Sequence, residues 1–275
     1  MVLKSEACEI PSPGAKFKQE AKMQKIIKIF SVGLVILTLT GCTMSAKSFV
    51  KKTEPKFNEI VNQGSAMSDI INKSSVTAST KITTIADVQT KISAARNELA
   101  TLKPNKSAQG LDNNLSQYYK EMALILTDLG NMIDFADISA KFAQDFESSI
   151  KSMPSDFSQD LTATRKQFVD AKNNQEKILS SLKGKSVSTS YEKAKSALET
   201  MVSAYIDYLN SAIAAIDAKN ASLIKYDDFK NKLEKANTDF QSQMDTIQKD
   251  VFGAARVDPV SKLEDTIKTE FNTLR

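Results

Sequence analysis

Beyond residue 42 glycine and proline all but vanish, leaving Gly64, Gly110, Gly130, Gly184 and Gly253 with Pro55, Pro104, Pro154 and Pro259. Breakers this sparse leave long uninterrupted segments, which suit helices and deny a strand-rich fold its frequent turns. The apolar residues agree, because they recur at three- and four-residue steps. Phe57, Ile60, Val61, Met67, Ile70 and Ile71 make a first stripe, and Ile82, Ile85, Val88, Ile92, Ala95, Leu99 and Leu102 a second. The threonine-rich run 76–84 reads as a turn feeding the second helix and not as a strand.

Pro104 and Gly110 bracket the next loop, after which Leu111 to Met153 form the longest and most apolar segment. Its main stripe runs through Leu111, Leu115, Tyr118, Met122, Ile125, Leu129, Met132 and Ala136. Tyr119, Leu126 and Ile133 lie beside it, and Leu124, Phe135 and Ile138 widen it. A helix apolar over so much of its circumference belongs at the centre of a bundle. Pro154 ends it, and Ser155 or Asp156 is placed to cap a fourth helix carrying Phe157, Leu161, Phe168, Ala171, Ile178 and Leu182. Thr164 and Gln175 are polar members of that seam, and Gly184 is expected to supply a left-handed stop.

Tyr191 to Leu223 follow a near-heptad period. A phase change at 219–222 marks either a break or a kink in one very long helix before Tyr226 to Val251. Gly253 and Pro259 precede a last helix with Val260, Leu263, Ile267, Phe271 and Leu274. The expected fold is therefore all-α, an elongated antiparallel helical bundle with coiled-coil-like long helices over residues 56–275.

The chain before residue 56 is organised differently. Residues 1–22 are polar, contain Pro11, Pro13 and Gly14, and read as an upstream extension, with translation expected to begin at Met23. Residues 23–41 then carry Lys25 and Lys28, an uncharged run from Ile29 to Leu39, and small residues at the end. That is the three-part layout of a secretory signal. The run is 11 residues long, against about 20 for a helix that crosses a bilayer, so no permanent span is expected there.

The ending Leu39-Thr40-Gly41-Cys42 resembles the lipobox of bacterial lipoprotein precursors. The resemblance implies cleavage between Gly41 and Cys42, a diacylglyceryl group on the Cys42 thiol, and a further acyl chain, palmitate-like, on the new amino terminus. Residues 42–55 would then be a lipidated tether. Each buried methylene contributes about 0.8 kcal/mol, so two or more chains hold a protein firmly at a membrane. The expected location is the extracytoplasmic face of the cell membrane or the outer membrane. In a two-membrane cell, lipoprotein sorting implies that Thr43, where an Asp would retain the protein, favours the outer membrane.

Of 37 basic and 33 acidic residues, six and three lie in residues 1–41, leaving 31 and 30 downstream. So even a balance calls for neither nucleic acid nor an anionic membrane surface as partner. Cys8 lies upstream of the signal, so no disulfide is expected in the processed chain. Histidine is absent, which removes the commonest general base and the commonest zinc ligand. No phosphate loop, dinucleotide fingerprint, zinc-protease helix, EF-hand or serine elbow is present.

Two constellations remain. Asp134 and Asp137, three apart on the most apolar helix, have the spacing to share a hard cation, or else mark that helix's solvent edge. Tyr118, Tyr119, Tyr205 and Tyr208 either line a pocket for an apolar or sugar-like ligand or pack inside the bundle. The expected function is a non-catalytic, membrane-anchored binding or scaffolding lipoprotein that meets an envelope protein or the cell wall and needs no cofactor. The alternatives are a small-ligand-binding bundle or a carboxylate-dependent cell-wall enzyme.

Overall fold

The computed structural model describes residues 44–151 and 160–275. Among them are seven α-helices: α1 (Ala46–Ile71), α2 (Ala78–Leu99), α3 (Gln109–Lys151), α4 (Leu161–Lys183), α5 (Glu192–Asp217), α6 (Tyr226–Phe252) and α7 (Ala254–Leu274). The fold is all-α, a helical bundle. Its described residues contain no strand, only an isolated bridge between Met44 and Pro104. The described chain divides into two compact units. The first holds residues 44–134 and 248–275, the second residues 135–151 and 160–247.

In the first unit, contacts between helices fix their directions. Glu59 pairs with Lys91 and Lys56 with Glu98, so α1 and α2 are antiparallel. Asp128 meets Arg256, Tyr118 meets Glu264 and Asn114 meets Glu270, which runs α7 antiparallel to α3. Glu54 with Arg275 and Phe57 with Phe271 do the same for α1 and α7. In the second unit Phe135 packs on Tyr191 and Phe146 on Tyr205, so the later part of α3 runs parallel to α5.

Helix α1 starts ten residues before the expected bundle boundary. Ser45 caps it by accepting from the Ser48 N–H at 3.3 Å, and Phe49 and Val50 are buried on the seam that Phe57 continues. Residues 46–55 are thus bundle and not tether. Pro55 lies inside the helix, but on its exposed side, where water can satisfy the Lys51 carbonyl that lost its donor. Two further expectations shift in detail. Asp160 caps α4, accepting from the Thr162 and Ala163 N–H groups at 2.8 and 3.1 Å, while the expected caps Ser155 and Asp156 lie outside the described residues. Residues 152–159, Phe157 included, lie outside the described residues. Leu124, Leu161, Leu223 and Ala136 are exposed, not core.

The left-handed stop occurs at a different place from the one expected. Gly184 has φ −73°, an ordinary right-handed value, whereas Lys219 has φ 52°. Around Lys219 its own N–H donates to the Ile216 carbonyl at 3.1 Å and the Asn220 N–H to the Ala215 carbonyl at 2.9 Å. That pair of bonds is the Schellman closure of a helix, so 219–222 is a true break between α5 and α6. A lysine in this conformation carries a cost of about 1–2 kcal/mol that glycine avoids. Lys219→Gly should therefore raise the stability of the second unit by up to about 1 kcal/mol, after glycine's extra chain entropy is subtracted. A higher urea midpoint with unchanged slope is the expected reading; a lower midpoint would count against a strained elbow.

Candidate functional site

Gly41 and Cys42, which the lipobox resemblance singles out, lie outside the described residues. The described chain begins two residues later at Met44, whose N–H donates to the Lys103 carbonyl at 3.0 Å and whose carbonyl accepts from the Asn105 N–H at 3.0 Å. The segment next to Cys42 is therefore stitched to the α2–α3 loop before α1 begins. Asn105 is itself held in place, since its side chain accepts from the Ala108 N–H and the Ser107 hydroxyl. No described helix is long and apolar enough to cross a membrane.

The four tyrosines divide between the units. Tyr118 and Tyr119 are buried in the first, their rings 5.9 Å apart and edge-on. Tyr118 also packs on Phe57 at 5.2 Å, and Phe57 on Phe271 at 5.6 Å. Its hydroxyl donates to Glu264 Oε2 at 3.4 Å, and Lys268 Nζ donates to Glu264 Oε1 at 2.5 Å. Glu264 is only 2 % exposed. Burial, only partly offset by Lys268 and Tyr118, pushes its carboxyl up to about 7. Burial likewise drives the Tyr118 hydroxyl well above its usual value, with the Glu264 charge acting in the same direction.

Tyr119 borders a recess with Lys52, Lys56, Glu98 and Leu102 whose volume is about 10 Å³. A water needs at least that much, so this is no place for a sugar. Tyr205 and Tyr208 sit in the second unit within an aromatic ladder. Tyr205 stacks on Tyr208 at 6.1 Å, and Phe229 covers both at 5.5 and 5.1 Å. Tyr226 closes the ladder edge-on against Tyr208 at 6.2 Å. Burial raises both the Tyr205 and the Tyr208 hydroxyls, so these phenols keep their protons at neutral pH.

Asp134 and Asp137 are both exposed, each at the helix edge. Asp128 is instead partly covered and accepts from Arg256 Nη2 at 3.2 Å. Among the described residues no three acids, histidines or cysteines gather where a metal would sit.

Two buried acids of the first unit were not foreseen. Glu54 lies between Val50, Phe57 and Val61 at helical steps, and Glu264 between Val260, Ile267 and Phe271. Each is a charge on an apolar seam, a pattern visible in the sequence. The expected stripe of α7 passed instead through Leu263, which is only half-buried. No family model matches the chain, and no curated protein or solved structure matches it.

Proposed function

We propose that this chain is a bacterial envelope lipoprotein, anchored through Cys42, whose helical bundle binds or scaffolds without catalysis. One observation carries the anchoring: a basic head, an 11-residue uncharged run and Leu39-Thr40-Gly41-Cys42 stand in the order a lipoprotein signal requires. A scaffolding role is supported by the tyrosines, which spend their rings on internal packing and keep their hydroxyls protonated. The partner is an envelope protein or the cell wall, met through helical faces.

The test is the mass of the chain recovered from membranes. A diacylglyceryl adduct on a chain beginning at Cys42 is expected, and Cys42→Ser should abolish it and leave an uncleaved precursor. If the serine variant keeps the wild-type mass and still fractionates with membranes, the anchoring proposal falls.

A further inference from the structure

The even charge balance of the processed chain hides a local imbalance. Residues 44–53 hold Lys47, Lys51 and Lys52, residues 100–111 hold Lys103 and Lys106, and neither stretch contains an Asp or Glu. Although these stretches are far apart in sequence, the backbone bonds from Met44 to Lys103 and Asn105 join them at one end of the first unit. Lys47, Lys103 and Lys106 are exposed and Lys51 is half-buried. Of the acids around that end two are in ion pairs and two are hydrogen-bonded only by neutral amides, so the lysines outnumber the acids left uncompensated. Glu54 holds Arg275, Glu98 holds Lys56, Asp112 accepts from Gln109, and Glu270 accepts from Asn114. Lys47, Lys51, Lys103 and Lys106 are in no ion pair among the described residues.

Cys42 stands two residues before Met44, a reach of at most about 7 Å. That is shorter than the Debye length of about 8 Å at physiological ionic strength. A lipid on Cys42 would thus hold Met44, and the end of the unit that carries these lysines, next to the bilayer surface. We infer that Lys47, Lys51, Lys103 and Lys106 form a collar that seats the first unit on anionic lipid headgroups, fixing which end faces the membrane. The inference rests on lipid anchorage at Cys42 and deepens it, since a single point of attachment keeps this end near the membrane but leaves the unit free to tilt. Each lysine near such a surface biases binding about fivefold. Four together favour the collar-down orientation by roughly 10²- to 10³-fold.

The experiment uses the lipidated full chain, reconstituted into vesicles of equimolar phosphatidylcholine and phosphatidylglycerol or of phosphatidylcholine alone. Single cysteines replace Ser107, in the collar loop, or Ser75, just past the other end of the 26-residue α1, roughly 39 Å away along the helix. Each carries a fluorophore, and the quencher sits on a lipid headgroup. In the anionic vesicles the label at 107 should be quenched several-fold more than the label at 75. That excess should fall several-fold in phosphatidylcholine alone and in the chain with Lys47→Gln, Lys51→Gln, Lys103→Gln and Lys106→Gln, leaving the smaller bias of the anchor itself. Equal quenching at the two positions, or an excess just as large in neutral vesicles or in the glutamine chain, overturns the collar while leaving anchorage intact. A chain whose mass lacks the diacylglyceryl group overturns anchorage and the collar with it.

Discussion

Leu126→Ala is expected to lower the unfolding free energy by about 2–5 kcal/mol, the usual cost of a buried leucine lost together with the cavity it leaves. Leu124→Ala, two residues earlier on the same helix, should change it by no more than about 0.5 kcal/mol, as surface substitutions generally do. The difference is one of placement alone, since Leu126 is 0 % exposed and Leu124 45 %. Leu126 sits on α3 among Met122, Ile125 and Leu129, all buried, so its methyl groups have neighbours on several sides that cannot all close in. Urea denaturation of the two variants reads the contrast directly. Similar losses at both positions would mean that the apolar face of α3 is wider than its burial indicates.

That contrast also shows what periodicity can and cannot decide. Three- and four-residue steps placed Phe57, Val88, Leu115, Tyr118, Phe168 and Tyr205 on buried faces, and all six are buried. Steps of this kind cannot set the phase of a stripe wherever apolar residues are adjacent. On α7 either Leu263 or Glu264 continues the run from Val260 to Ile267, and a preference for the apolar choice selected the residue that is only half-buried. The seam accepts a carboxylate at 264 because Tyr118 and Lys268 both reach it. Those partners come from long-range packing and from one turn further along the helix. Breaker residues mislead for a related reason. Pro55 stops a helix only if the lost hydrogen bond lies where nothing replaces it, and its ring faces outward. The lysine collar was illegible for another reason again: net charge says nothing about position, and only the Met44 bonds bring residue 47 near residue 103.

The buried carboxylate at 264 makes the stability of the first unit depend on pH in a direction opposite to that of an ordinary salt-bridged acid. The folded state holds the Glu264 proton up to about pH 7, against an ordinary value of 4.5 for an unfolded glutamate. Folding is therefore favoured while the carboxyl is protonated, and that contribution is lost progressively as the pH rises from 4.5 through 7. Between pH 5 and pH 8 the loss should be about 2–3 kcal/mol. The groups that face the carboxylate work against one another. Lys268 and Tyr118 favour its ionised form, Asp265 disfavours it, and burial outweighs them all. Glu264→Gln keeps an acceptor for the Tyr118 hydroxyl but cannot titrate, so its stability should be nearly flat across the same interval. Hydrogen exchange of the α7 backbone amides at pH 5, 6.5 and 8, corrected for the intrinsic rate, confines the measurement to this unit. Wild-type protection that falls with pH while the glutamine variant holds steady is the expected result. Wild-type protection that stays level would mean that Lys268 holds the carboxylate ionised throughout, as a buried ion pair and not as a neutral acid.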